Sequence, residues 1–74
     1  MIDFVNYQPP TGAEWARIQK KAGFESNKQC ADFLEVSPDE VKKIRSDKKP
    51  AKKALFFMLC VYADVPVILF DQPE

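Results

Sequence analysis

Four residues near the middle of the chain, Ser37-Pro38-Asp39-Glu40, constrain its fold more than any other stretch. Serine can accept a hydrogen bond from a free backbone N–H at a helix N-terminus, proline is tolerated at the first helical position, and acids suit the first turn. An apolar helical pattern ends immediately before this signal, at Val36. The sequence therefore predicts two short helices separated by a tight turn.

Two further helix starts precede this one. Thr11 with Glu14, and Ser26 with Gln29, have the three-residue spacing of a capping box, in which each side chain can satisfy the backbone N–H of the other residue. Gly23 lies between the two segments, and glycine readily adopts the left-handed conformation found at helix C-termini. The sequence therefore predicts one helix on each side of Gly23.

A fourth helix is expected from Pro50 to about Asp64, and it is apolar on nearly every side. Its expected core face comprises Ala51, Ala54, Leu55, Met58, Leu59 and Tyr62. The remaining sides carry Phe56, Phe57, Cys60 and Val61. A helix that is apolar all round must be covered on more than one side.

The two ends of the chain, Ile2–Tyr7 and Val67–Phe70, are typical of short extended segments that can pair with each other. Seventy-four residues are enough for one domain only. We therefore predict an all-α fold, with residues 1–74 forming a compact four-helix helix-turn-helix domain with short extended N- and C-terminal segments.

The composition argues against catalysis. The chain has no histidine and two cysteines, so it cannot complete a tetrahedral zinc site, and it carries no nucleophile–base pair or glycine-rich phosphate loop. We expect no enzyme activity, no metal, no cofactor and no small-molecule substrate. Cys30 and Cys60 lie in apolar helical patterns and are expected to be buried thiols, with a disulfide between them as the alternative.

The sequence also lacks targeting and membrane signals. The N-terminus has no basic segment followed by an apolar run, and no apolar stretch reaches about 18 residues. We expect a cytoplasmic protein without a membrane partner.

Charge is unevenly distributed, although the net charge is zero. Residues 37–53 carry seven cations against three acids, whereas residues 1–16 have a charge of −2 and residues 54–74 a charge of −3. Local fields matter more than the total to a polyanionic partner.

The stretch from about residue 11 to residue 63 resembles the Cro/repressor type of phage DNA-binding domain. That family combines a small residue in one helix, a Gly-Val-Ser-like turn, and a recognition helix with a β-branched residue followed three positions later by a large apolar one. The matching positions are Ala31, Leu34, Val36, Ser37, Val41 and Ile44, and a lysine-rich turn, Asp47-Lys48-Lys49-Pro50, follows them. The resemblance implies a helix-turn-helix over about residues 27–46.

The chain departs from the family pattern in the turn and in the first residues of the recognition helix. Glu35 stands where the family usually has glycine, so we expect either about 1 kcal/mol of backbone strain or a different turn. Pro38 and Asp39 stand where the family commonly has polar residues that read bases.

The resemblance implies a sequence-specific transcriptional regulator, namely a dimeric repressor of a phage or mobile-element operon that binds a short palindromic operator in double-stranded DNA. In this fold the recognition helix enters the major groove. Expected base contacts are Asp39, Lys42, Lys43 and Ser46, and expected phosphate contacts are Asn27, Lys28, Arg45, Lys48, Lys49, Lys52 and Lys53. In the alternative interpretation, Asp39 only interacts favourably with the helix dipole, and the Glu40 side chain only completes a capping box with Ser37. The lysines are then a solvent-exposed face without a ligand.

The surplus apolar surface of the fourth helix and the tail, residues 50–70, predicts a homodimer interface. Its expected members are Phe56, Phe57, Cys60, Val61, Val67, Ile68, Leu69 and Phe70. The terminal segments could instead cover this surface within one chain. The rival function is a protein-binding module that docks a host or phage protein through the same surface. The neutral net charge favours it, as do Glu35, Pro38 and Asp39.

Overall fold

The computed structural model describes residues 2–70 as four helices and two short strands. In chain order these are β1 Ile2–Asp3, α1 Gly12–Lys21, α2 Asn27–Leu34, α3 Pro38–Arg45, α4 Lys53–Tyr62 and β2 Val67–Ile68. The predicted all-α fold with short extended ends is confirmed.

The first three helices begin where the sequence predicts. Thr11, Ser26 and Ser37 are their N-caps, and each side chain accepts a hydrogen bond from the backbone N–H three residues later, at 3.1, 3.2 and 3.2 Å respectively. Pro38 occupies the first turn of α3, where its missing N–H costs nothing.

A residue of positive φ follows the last residue of each of the four helices by one or two positions. Gly23 has φ 92°, whereas acidic residues adopt this conformation after the other helices: Glu35 (59°), Asp47 (61°) and Asp64 (59°). The Val36 N–H donates to the Ala31 carbonyl at 3.0 Å, which closes the helix end in the manner of a glycine-terminated helix. The tight turn therefore forms with Glu35 in the left-handed conformation, at the cost of backbone strain.

The core forms around a cluster of aromatic rings. Trp15, Phe4 and Phe56 are each at most 1% exposed, and the Phe56 ring centroid lies 5.9 Å from the centroids of both other rings. Phe57 packs edge-on against Phe4 with centroids 5.4 Å apart. The N-terminal segment, α1 and α4 are thus held together by large apolar side chains, which dominate burial energy in small cores.

The structure corrects the predicted orientation and length of α4. The helix spans Lys53–Tyr62 rather than residues 50–64, because Lys52 is extended before it and Asp64 has a positive φ after it. Ala54, Met58 and Tyr62, expected in the core, are exposed, whereas Phe56 and Cys60 are buried. The apolar residues surround the helix, so their periodicity could not identify the inward side.

The two ends of the chain meet in a two-stranded parallel sheet. Ile2 pairs with Val67 and Asp3 with Ile68, so the pairing is shorter than the predicted extended segments. The Tyr7 hydroxyl also donates to the Ala51 carbonyl at 2.9 Å. Burial raises the pKa of Tyr7 to about 12, with smaller contributions from charges on Cys60 and Glu14.

Both cysteines are free, buried thiols, as the first interpretation of Cys30 and Cys60 predicts. Burial raises the pKa of each thiol to about 11, so the reactive thiolate is scarce near neutral pH. Within residues 2–70, no helix is both long enough and apolar enough to cross a membrane.

Candidate nucleic-acid interface

The segment α2–turn–α3 has the inward packing that a helix-turn-helix requires. Val41 and Ile44 of α3 are 0% and 2% exposed, and Ala31 of α2 is fully buried. The four expected base contacts, Asp39, Lys42, Lys43 and Ser46, are all exposed. The periodicity of α3 therefore places its apolar stripe in the core and leaves its polar side chains accessible.

Two of the expected base contacts form an ion pair with each other. Lys43 Nζ lies 3.1 Å from Asp39 Oδ2, and the two side chains are 53% and 68% exposed. An ion pair this exposed contributes at most about 1 kcal/mol. Lys43 can therefore exchange this partner for a base edge or a phosphate, and Asp39 can exchange it for the amino group of a cytosine.

Glu40 forms only one half of the predicted capping box with Ser37. Its backbone N–H donates to Ser37 Oγ, which is one half of the predicted capping box. Its carboxylate instead accepts from Lys49 Nζ, and the Glu40 side chain is only 19% exposed. Lys49, an expected phosphate contact, would therefore have to leave this ion pair to bind a phosphate. It is also less exposed than the other lysines of residues 37–53.

Asp47, the third acid of residues 37–53, also forms a hydrogen bond within the chain. Its Oδ1 accepts from the Gly12 backbone N–H at 2.6 Å, at the first position of α1. This carboxylate both satisfies a free N–H and suits the positive end of the helix dipole. The contact joins the loop after α3 to the start of α1.

A chain of hydrogen bonds runs from the core to the expected phosphate contacts. The Trp15 indole N–H donates to Gln19 Oε1 at 3.0 Å, and Gln19 Nε2 donates to Asn27 Oδ1 at 3.3 Å. Arg45 Nη1 donates to the same Asn27 oxygen at 2.6 Å. Asn27 and Arg45 are thereby brought together and held in orientation.

Gln19 was missed by sequence reasoning, although a signal for it exists. It is 3% exposed and follows Trp15 by one helical turn. A buried indole N–H needs an acceptor, so a glutamine four residues away was the natural candidate.

The remaining expected phosphate contacts are exposed lysines. Lys28, Lys48, Lys52 and Lys53, together with Lys42 of the base-contact set, form no ion pair with a carboxylate of residues 2–70. The Ser46 hydroxyl donates to the Lys42 carbonyl at 2.9 Å, which leaves its oxygen free to accept. Residues 37–53 carry seven cations against three acids, and two of these acids are paired with Lys43 and Lys49, so the local charge is positive.

The expected dimer surface is only partly a surface. Phe56 and Cys60 are 1% and 0% exposed, so their assignment to an interface is wrong: they fill the core of the single chain. Phe57, Val67 and Ile68 are half-buried. The residues that remain exposed are Val61, Leu69 and Phe70 from the expected set, and Met58 and Tyr62 from the expected core.

No protein-family model matches this chain, and neither curated proteins nor solved structures provide a match. Only the geometry of α2, α3 and their neighbours therefore indicates what the chain binds.

Proposed function

We propose that this chain is a sequence-specific DNA-binding transcriptional regulator, acting as a dimeric repressor on a short palindromic operator of a phage or mobile-element operon. The observation that carries the proposal is the orientation of α3. Its Val41 and Ile44 are buried while Lys42 and Lys43 are exposed beside them. An α-helix that presents donors on its outer side fits the major groove, where lysine can donate to guanine O6 and N7.

The charges around α3 support the same partner. Lys48, Lys52 and Lys53 follow α3 and are exposed without an ion pair in the described residues. Lysines that flank a groove-binding helix can neutralise phosphates, which supplies salt-dependent affinity but does not read sequence. Base reading is thus proposed for α3 and backbone binding for the α3–α4 segment.

The proposed dimer surface is the outer side of α4. Met58, Val61 and Tyr62 are 42%, 56% and 54% exposed, and residues 54–63 contain no charged side chain. A two-fold dimer buries the same patch of both subunits, and an apolar helix side can pack against its own copy in this way. Two copies would present two recognition helices to the two halves of a palindrome.

The proposal is tested by selecting duplexes from a randomised pool and then measuring affinities for the enriched sequence. We expect Lys42→Ala to reduce discrimination between the selected and a scrambled duplex. We expect Lys48→Ala to weaken both duplexes similarly and to lower the salt slope by about 1. Lys21→Ala, an exposed lysine of α1, is the matched control and should leave both quantities unchanged.

Failure to enrich any sequence, with no duplex retained at low salt, would refute the proposal. A protein-binding module is the second candidate, because the ion pairs of Lys43 with Asp39 and of Lys49 with Glu40 lower the charge of the face. In that case the exposed Leu69 and Phe70 beside α4 would dock the partner protein.

A further inference from the structure

A basic cleft lies between the second half of α1 and the last turn of α3, outside the residues assigned above except for one. Arg17 and Lys20 of α1 line it together with Arg45 of α3, and its volume is about 770 Å³. We call it the Arg17–Lys20–Arg45 cleft. Only one carboxylate-bearing residue, Glu25, lines it as well. The cleft therefore has an excess of two positive charges.

The three cations of the cleft are available to a ligand. None forms an ion pair with a carboxylate of residues 2–70, and all three residues are exposed. Cationic residues that line one concavity give it a positive potential, which raises the local concentration of anions. The concavity therefore favours an anionic ligand group.

One wall of the cleft is fixed in place by the core. Arg45 is hydrogen-bonded to Asn27, which is bonded to the buried Gln19, which in turn accepts from Trp15. A guanidinium already held in orientation loses less side-chain entropy when it binds. Its remaining N–H groups keep the planar arrangement that suits two oxygens of a phosphate.

The cleft is continuous with the face proposed to bind DNA. Arg45 is the last residue of α3, and its partner Asn27 is the first residue of α2. The cleft therefore begins where the helix-turn-helix surface ends.

We propose that the Arg17–Lys20–Arg45 cleft binds a phosphate of the DNA backbone next to the groove contacts of α3. This inference rests on the proposed DNA-binding function and adds Arg17 and Lys20 to it.

Basic residues near the end of α1 could instead only stabilise the negative end of the helix dipole. A comparison with Lys21 separates this explanation from phosphate binding. Lys20 and Lys21 both lie in the last turn of α1, but only Lys20 lines the cleft. Both side chains would interact similarly with the helix C-terminus. Lys21→Ala is therefore the matched control for any effect of charge or helix stability.

The test measures affinity for a selected duplex between about 50 and 200 mM salt. The double variant Arg17→Ala/Lys20→Ala should lower the magnitude of the salt slope by about 1, which corresponds to one phosphate no longer neutralised. Lys21→Ala should have the parent slope. Glu25→Gln, which removes the negative charge at the cleft, should bind the selected duplex more tightly than the parent protein does.

A second measurement locates the phosphate. Uncharged methylphosphonate groups are placed one at a time along the backbone of the selected duplex. One position should weaken binding by the parent and by Lys21→Ala, but not by the double variant. Inorganic pyrophosphate is added at constant ionic strength as a competitor in a separate series.

The outcomes distinguish this inference from the proposed function. If the parent retains no duplex at all, both proposals are overturned. If the duplex is bound but the double variant has the parent slope and the same sensitive methylphosphonate positions, only the cleft assignment is overturned. Pyrophosphate competition that disappears in the double variant, without any methylphosphonate effect, would assign the cleft to a free anion instead of DNA.

Discussion

Replacing Gly12 by alanine is expected to destabilise the protein strongly, against the usual preference of helices for alanine. Gly12 is the first residue of α1 and faces the end of α3. A Cβ built on Gly12 would lie 2.6 Å from the Arg45 carbonyl carbon and closer still to its oxygen. Carbon atoms in contact lie about 3.5–4.0 Å apart, so the two backbones would have to separate by roughly 1 Å.

The expected cost follows from three contributions. Overpacking costs about 1–3 kcal/mol. Separation of the backbones also disrupts the bond from the Gly12 N–H to Asp47, and a hydrogen bond to a charged group is worth about 1.5–3 kcal/mol. The higher helix propensity of alanine offsets about 1 kcal/mol of this cost. The net loss is about 1.5–5 kcal/mol, within a total stability of about 4–11 kcal/mol for a chain of this length.

The assay is thermal unfolding followed by circular dichroism, and the expected fall in Tm is about 6–40 °C. Gly23→Ala is the matched control, because a Cβ there meets nothing within 4 Å although the residue has φ 92°. It should cost only the backbone strain, about 1–2 kcal/mol. A Gly12→Ala protein with a Tm at or above that of the parent would refute the close approach of α1 to α3.

Two further predictions concern the turn at Glu35 and the half-buried phenol of Tyr7. Glu35→Gly should raise the free energy of unfolding by about 1 kcal/mol, because glycine adopts φ 59° without the Cβ penalty; an unchanged urea midpoint would contradict the strain. Because the pKa of Tyr7 rises from 10.0 to about 12 on folding, the neutral phenol is favoured in the folded state. Its contribution to stability is complete below pH 10 and should be lost as pH rises from 10 towards 12. Urea midpoints across this range should fall more steeply for the parent than for Tyr7→Phe, and equal slopes would contradict the assignment.

Helix starts were predictable because they depend on residues a few positions apart. Ser26 and Ser37 cap their helices through backbone N–H groups three residues later, whatever the rest of the chain does. The inward stripe of α3 was equally predictable, since Val41 and Ile44 are its only apolar residues. A single narrow stripe leaves no choice of the side that packs inward.

The candidate site was predicted only in part, because its residues find partners across the chain. The sequence identified Lys49 and Glu40 separately, but their ion pair depends on the path of the loop after α3. Arg17 and Lys20 were not assigned to a site, because nothing in the spacing of α1 shows that they share a cleft with Arg45.

The sequence by itself determined where the first three helices begin and which side of α3 is polar, because capping and amphipathic spacing act within one or two helical turns. Only the tertiary structure decided that Phe56 rather than Tyr62 of α4 enters the core, because an apolar residue stands on every side of that helix. It also decided that Asp47 caps α1 from 35 residues away, since such a contact exists only after the helices have packed.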